Sequence, residues 1–327
     1  MGMKRTWAWS KLDEGTIRKF AEGYKRFLNE VKTEREAVEF IKREAESRGF
    51  KDINKAKKLS AGDRVYGIYK GKIILLAVIG EKDPKNGLRI IGSHIDAPRL
   101  DLKPIPIYED SGIALLKTHY YGGVKKYQWV NIPLAIHGVV ALKDGTVKKI
   151  IIGEDPNDPV LVIPDVLPHL GKKKQEERKG LEVVTGEELH VVIGNKPLEP
   201  EKEEKENVKK LVLKILEEKY GIKEEDLISA DLELVPAVPA RDSGIDLSLI
   251  AGYGQDDRIC VYTSLRAILD IEKPKYTCVA LFVDREEIGS EGISSAQSKY
   301  FEHFISEIIR KTTGEVSEYD LLVAFMY

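Results

Sequence analysis

Residues Val279–Gly292 read VALFVDREEIGSEG. The first five form an apolar, β-branched run of strand character that stops at Asp284-Arg285, and the adjacent glutamates Glu286 and Glu287 follow just before a glycine. A strand buried in a sheet needs no carboxylates at its end. Two there cost desolvation and like-charge repulsion unless a cation or a proton relieves them. The pair is therefore a functional candidate, weighed against the plainer reading of Glu-Glu as a common surface dipeptide.

Upstream, Val65–Tyr69, Ile73–Ile79 and Leu88–Gly92 are three further β-rich segments, separated by Lys70-Gly71 and by Asp83-Pro84-Lys85-Asn86-Gly87. They are preceded by two amphipathic helices. Ile17, Phe20, Tyr24, Phe27 and Leu28 share one helical face, and Thr33-Glu34-Arg35-Glu36 is a capping box opening a helix with Val38, Ile41 and Ala45 inward and Gly49 as its stop. Helices followed by strands, one of them continuously apolar, predict an α/β sheet covered on both faces. After Gly252 the pattern resumes with a helix over Arg258–Leu269, the strand Tyr276–Val283 and a helix around Ser294–Arg310. The chain closes on Tyr319–Tyr327 (YDLLVAFMY), expected as another buried strand; a covering helix would still be owed, so a truncated chain is expected.

Between these parts the pattern changes to short strands, Ile113–Lys117, Gly138–Leu142, Lys149–Ile152 and Leu189–Ile193, alternating with turns. The mixed-sign stretches Gly171–Gly180 and Leu198–Glu206 read as solvated surface, and a helix over Val208–Tyr220 is expected to bury Val208, Leu211, Val212 and Ile215. The domain reading is 1–101 and 241–327 as the two parts of a catalytic α/β domain, with 102–240 inserted.

The chain has 327 residues, a net charge of −2 and 32% charged residues, which gives no pointer to nucleic acid or to a membrane surface. Lys and Glu dominate while Gln, Cys and Met are scarce, a balance found in proteins of hot environments. Two cysteines, Cys260 and Cys278, are too few for a disulfide framework. The N-terminal MGMKRTWAWSK has no apolar leader core, and the apolar run Ile73–Ile79 is too short to span a bilayer. Together these features predict a soluble, cytoplasmic protein.

Two more stretches carry chemistry. In Gly92-Ser93-His94-Ile95-Asp96-Ala97-Pro98, His94 and Asp96 fall two apart, so Asp96 can orient the imidazole while the other ring nitrogen binds a metal; the alternative is a surface turn. In Gly252–Arg258, Asp256 and Asp257 stand at a helix start, either as capping residues or as a carboxylate bridging two ions. All three stretches lie at the C-terminal ends of predicted strands, where ligands of such sheets collect. Histidine with carboxylates and no cysteine fits a catalytic metal, and adjacent glutamates divide into a ligand and a base.

Four motifs in order, SHIDAPRLDLKP (Ser93–Pro104), YGG (Tyr121–Gly123), GQDDRICVYTSLRAI (Gly254–Ile268) and DREEIGSEG (Asp284–Gly292), resemble those of the M18 metallo-aminopeptidases, the aspartyl aminopeptidase family. The related M42 enzymes share the chemistry, but the long insertion and the SHIDAPRLDLKP spacing favour M18. The resemblance implies a phosphorylase/hydrolase-like zinc-peptidase domain with an inserted β-rich dimerisation domain, self-association through dimers into a tetrahedral dodecamer, and peptide substrates with a free N-terminus. Its cofactors would be two divalent metal ions, zinc in first place with cobalt or manganese as alternatives. It further implies His94 on one zinc, Asp256 bridging, Glu287 on the other, Glu286 as general base, Asp96 supporting His94, and His169 reaching a neighbouring subunit's substrate. The family pattern also calls for one more aspartate ligand beyond Leu321–Tyr327 and a final histidine. Since His119, His137, His169, His190 and His303 match no such motif, each zinc is expected to lack one protein ligand and the chain as given to bind metal poorly. The rival readings are a catalytically silent or truncated M18-like assembly subunit and, more weakly, a glycosidase using Glu286 and Glu287, which adjacent residues on one backbone suit badly.

Overall fold

The computed structural model describes residues 7–202 and 204–326. The first six residues of the polar N-terminus, Glu203 in the charged stretch and the final Tyr327 lie outside the described residues. The chain divides into two compact units, one formed by residues up to Ala97 and from Pro239 onward, the other by Pro98–Val238.

The first unit opens with α1 (Glu14–Glu30) and α2 (Glu34–Ser47). Asp13 caps α1 by accepting from the Thr16 N–H at 2.9 Å, and Thr33 with Glu36 forms the expected capping box of α2. Strands β1 (Lys51–Asp52), β2 (Arg64–Tyr69), β3 (Ile73–Val78) and β4 (Leu88–His94) follow.

The second unit carries β5 (Arg99–Asp110), β6 (Ile113–Tyr121), β7 (Leu134–Ala141), β8 (Val147–Ile152), the short helix α3 (Pro168–Lys174), β9 (Val191–Gly194), α4 (Asn207–Ile215) and β10 (Ala230–Pro236). Its strands form one antiparallel sheet in the order β8-β7-β10-β5-β6-β9. Part of the stretch read as solvated surface, Gly171–Lys174, is helical because Pro168 sits at the helix start, where its fixed φ and missing N–H cost nothing. Helix α4 passes into a wide turn over Leu216–Tyr220. It buries Val208 but leaves Ile215 exposed, against expectation.

The first unit resumes with the small β11 (Arg241–Ser243) and β12 (Leu249–Ala251) ribbon, then α5 (Gln255–Leu269), β13 (Thr277–Val283), α6 (Tyr300–Thr313) and α7 (Glu318–Met326). Its main sheet runs β1-β2-β3-β13-β4 and is mixed: β13 is antiparallel to β3 and parallel to β4. Along β3, Ile74, Leu76 and Val78 face a core shared with Phe27, Phe40, Ile41, Val261 and Leu265, while Ile73, Leu75 and Ala77 face Phe304, Ile305, Ile308 and Ile309. Two apolar faces explain the unbroken apolar run of this strand.

The last segment corrects the expected strand over Tyr319–Tyr327. Ser317 and Asp320 cap a helix instead: the Ser317 N–H donates to Asp320 Oδ2 at 2.8 Å, and the Asp320 N–H donates to Ser317 Oγ at 3.2 Å. Leu321 and Ala324, three apart, then pack on the second core. Helix α6 starts at Tyr300 rather than near Ser294, because Ser294 and Ser295 are engaged in the loop after β13.

Candidate metal centre

The parallel pairing of β4 with β13 fixes where the site forms. Their register runs from Thr277 opposite Leu88 to Val283 opposite His94, so both strands end at the same edge of the sheet. The Ile95 N–H donates to the Val283 carbonyl at 2.8 Å and closes that end. His94 therefore lies beside the turn that carries Glu286 and Glu287.

That turn is tied down at both ends and in the middle. The Asp284 carboxylate accepts from the Arg285 N–H at 2.8 Å and from the Ser294 hydroxyl at 2.7 Å, and the Asp284 N–H donates to the Ser294 carbonyl at 3.0 Å. In the middle, the buried Asp96 carboxylate accepts from the backbone N–H groups of Glu286 and Glu287, each at 3.2 Å. Arg285 takes a left-handed conformation at φ 68°, which bends the chain sharply after the strand so that it can present both glutamates.

Asp96 also serves the histidine. Its Oδ1 stands 3.3 Å and its carbonyl oxygen 3.1 Å from His94 Nδ1, so the far nitrogen faces the acidic groups. His94 Nε2 is 3.3 Å from Asp256 Oδ1 and 3.6 Å from Glu286 Oε2. Burial works against a charged ring, but the hydrogen bond and charge of Asp96, with Asp257 adding to them, outweigh it and raise His94 to about 9. Burial also raises the Glu287 carboxyl; the His94 charge opposes this, while Asp256, Asp96 and Glu286 push it further up. Carboxylates crowded around one imidazole are the electrostatic setting that a cation would relieve.

His94, Asp256 and Glu287 each offer one donor atom, and the three atoms lie within 4.8 Å of one another. Glu286 stands beside this group, and the Asp256 side chain is 85% exposed, open to more than one contact. Asp257 does something else: its Oδ2 accepts the His94 backbone N–H at 3.3 Å. The helix-start pair is thus split between the centre and the strand end. His169 lies in α3 of the other unit, as an exposed residue. Sequence reasoning missed the Asp284–Ser294 clasp, whose partners are ten residues apart with no local motif joining them.

Residues 27–324 match the model of the M18 peptidase family, described as aminopeptidase I zinc metalloprotease. The chain belongs to the M18 family. It is 48% identical over 309 residues to a probable M18 family aminopeptidase 1 of Clostridium acetobutylicum, an alignment covering 92% of this chain and 66% of that protein. The corresponding Thermotoga maritima protein is 45% identical over 325 residues, covering 98% of this chain and 70% of the relative. The crystal structure of the M18 family aminopeptidase from Thermotoga maritima superposes with a TM-score of 0.93 at 44% identity, covering 99% of this chain and 70% of that one. The M18 chain therefore spans about two thirds of the length of these relatives. Among its described residues no helix is long and apolar enough to cross a membrane.

Proposed function

We propose that this M18 chain carries the centre of a metal-dependent aminopeptidase that releases N-terminal residues from peptides by a two-metal, Glu-assisted attack of water. The observation that carries the reading is the convergence of His94, Asp256 and Glu287 within 4.8 Å. An imidazole and two carboxylates with no thiolate fit zinc, and this donor set is that of a catalytic rather than a structural site. The fit also favours catalysis over a silent assembly subunit. His94 would hold one ion and Glu287 the other, with the exposed Asp256 carboxylate shared between them.

Zinc bound there would polarise the scissile carbonyl and acidify water. The remaining work falls to the chain. Asp96 fixes the His94 tautomer by accepting at Nδ1, leaving Nε2 free to ligate. Glu286 is half exposed and close to the ligand set, placed to take a proton from the attacking water and to return it to the departing amine. Because Asp96 holds the N–H groups of both glutamates, base and ligand stay in a fixed relation.

E286Q tests this reading in the full-length protein. Turnover of an amino-acyl nitroanilide should fall by about 10²–10⁴-fold, the usual contribution of a positioned acid–base group, with metal content unchanged. A variant that stays active ends the assignment of Glu286.

The β-rich unit is proposed as the self-association module, building dimers toward a tetrahedral dodecamer. Supporting this are large apolar residues left in solvent on that unit, among them Val160, Leu167, Leu170 and Leu181. His169 would then reach a neighbour's substrate. Native mass decides the assembly: a species heavier than the monomer is expected, and a strict monomer at micromolar concentration rules it out.

A further inference from the structure

A buried charge close in sequence to Asp256 has no part in the proposed reaction. Arg258 begins the regular part of α5, two residues after Asp256, and is 1% exposed. Its Nη2 donates to the Lys32 carbonyl at 2.7 Å, and its guanidinium lies 5.1 Å from the centre of the Tyr253 ring. Nε and Nη1 meet no acceptor among the described residues. A buried cation with unsatisfied donors is costly and persists only where something offsets it.

The chain is shaped around it. The corner at residues 253–258 folds over the guanidinium: a Cβ on Gly254 would lie 1.8 Å from Nη1, so only glycine fits, and its φ of +72° also suits glycine. Tyr24 and Gln255 brace the same corner, the Tyr24 hydroxyl donating to Gln255 Oε1 at 2.5 Å and Gln255 Nε2 donating to the Ile250 carbonyl at 3.0 Å. From this corner Asp256 faces His94 Nε2, and Asp257 holds the His94 backbone N–H. Asp96, Glu286 and Glu287 add their carboxyl groups to the same centre.

We infer that Arg258 is a positioning residue of the metal centre: clamped between the Tyr253 ring and the Lys32 carbonyl and packed against Gly254, its guanidinium holds the 253–258 corner in the shape that aims Asp256 and Asp257 at His94. Guanidinium suits this task because it stacks and hydrogen-bonds in one plane and never loses its charge. The inference rests on the reading of His94, Asp256 and Glu287 as metal ligands.

Cobalt(II) titration of the whole chain tests it, read by calorimetry and by the visible absorption of the bound ion, beside the melting temperature of the metal-free protein. R258M should weaken cobalt binding by about 10–100-fold, the usual effect of losing support behind a ligand, and change the absorption band. Y253L should shift affinity in the same direction, while Y253F, which keeps the ring face, should bind as wild type does. If R258M fails to fold, the Y253L and Y253F pair decides. Wild-type affinity and spectrum in R258M, or in Y253L where R258M cannot be made, overturn the role of Arg258 whatever happens to stability. A wild-type chain that binds no cobalt instead sinks the metal reading, and this inference with it.

Discussion

At the scale of single residues, the candidate centre is shaped by buried carboxylates that bind backbone N–H groups. Asp96 is fully buried yet holds both the imidazole and the peptide N–H groups of the two glutamates, so its charge is spent on geometry. Asp284 is a contrasting case. Burial, then the neighbouring Glu34 charge, raises its carboxyl to about 6 from 3.8, although the Ser294 hydrogen bond favours the ion. The sign follows from comparing the two states. Between pH 3.8 and about 6 the folded chain keeps a proton that the unfolded chain has released, so the contribution of Asp284 to stability is complete below the lower value and lost as pH rises through the upper one. D284N keeps an acceptor for the Arg285 N–H and can donate to Ser294, but cannot ionise. Relative to wild type, metal-free D284N should gain stability on the order of 1–3 kcal/mol above pH 6, with the gap closing toward pH 4. Melting temperatures across pH 4–8 check this, and parallel profiles would count against a buried charge at this position.

At the scale of elements, legibility followed the range of the interaction. The box Thr33–Glu36, the helical face of Tyr24, Phe27 and Leu28, and the doubly buried β3 are local patterns, and each has the structure its spacing predicts. Placing His94, Glu286 and Glu287 at strand ends was equally readable, since strand ends show as changes of composition, whereas Asp256 stands at the start of α5, beyond the small ribbon strand β12. What binds those ends together was not: the β4–β13 register, the Asp96 hub and the Asp284–Ser294 clasp join residues far apart in the chain. The misread strand at Tyr319–Tyr327 has a different cause. Its apolar run cannot by itself tell a strand from a buried helix, and the deciding signal, Ser317 three residues before Asp320, lay just outside it. If that cap starts α7, S317A should destabilise the first unit by about 0.5–2 kcal/mol and speed amide exchange through 318–324. Exchange rates equal to wild type would leave α7 without its proposed start.

At the scale of the molecule, the candidate ligands come from three separate places in one unit: His94 from the end of β4, Asp256 from the start of α5, and Glu287 from the turn after β13. Metal held by these groups would tie together segments that are otherwise joined through backbone contacts and a few buried side chains. Because the unfolded chain does not hold these groups together, binding energy becomes folding energy. At a free zinc concentration one hundred times the dissociation constant, the stabilisation should be about 2.7 kcal/mol, seen as a higher melting temperature that a chelator reverses. The location of the effect is more telling than its size. Amide exchange should slow at residues 94–97, 253–258 and 284–294, the three stretches that bring the ligands together, and H94A should abolish both the slowing and the shift in melting. A zinc effect on melting that survives H94A would place the ion elsewhere in the chain, and the convergence of His94, Asp256 and Glu287 would then have to be explained as a charge cluster held by protons alone.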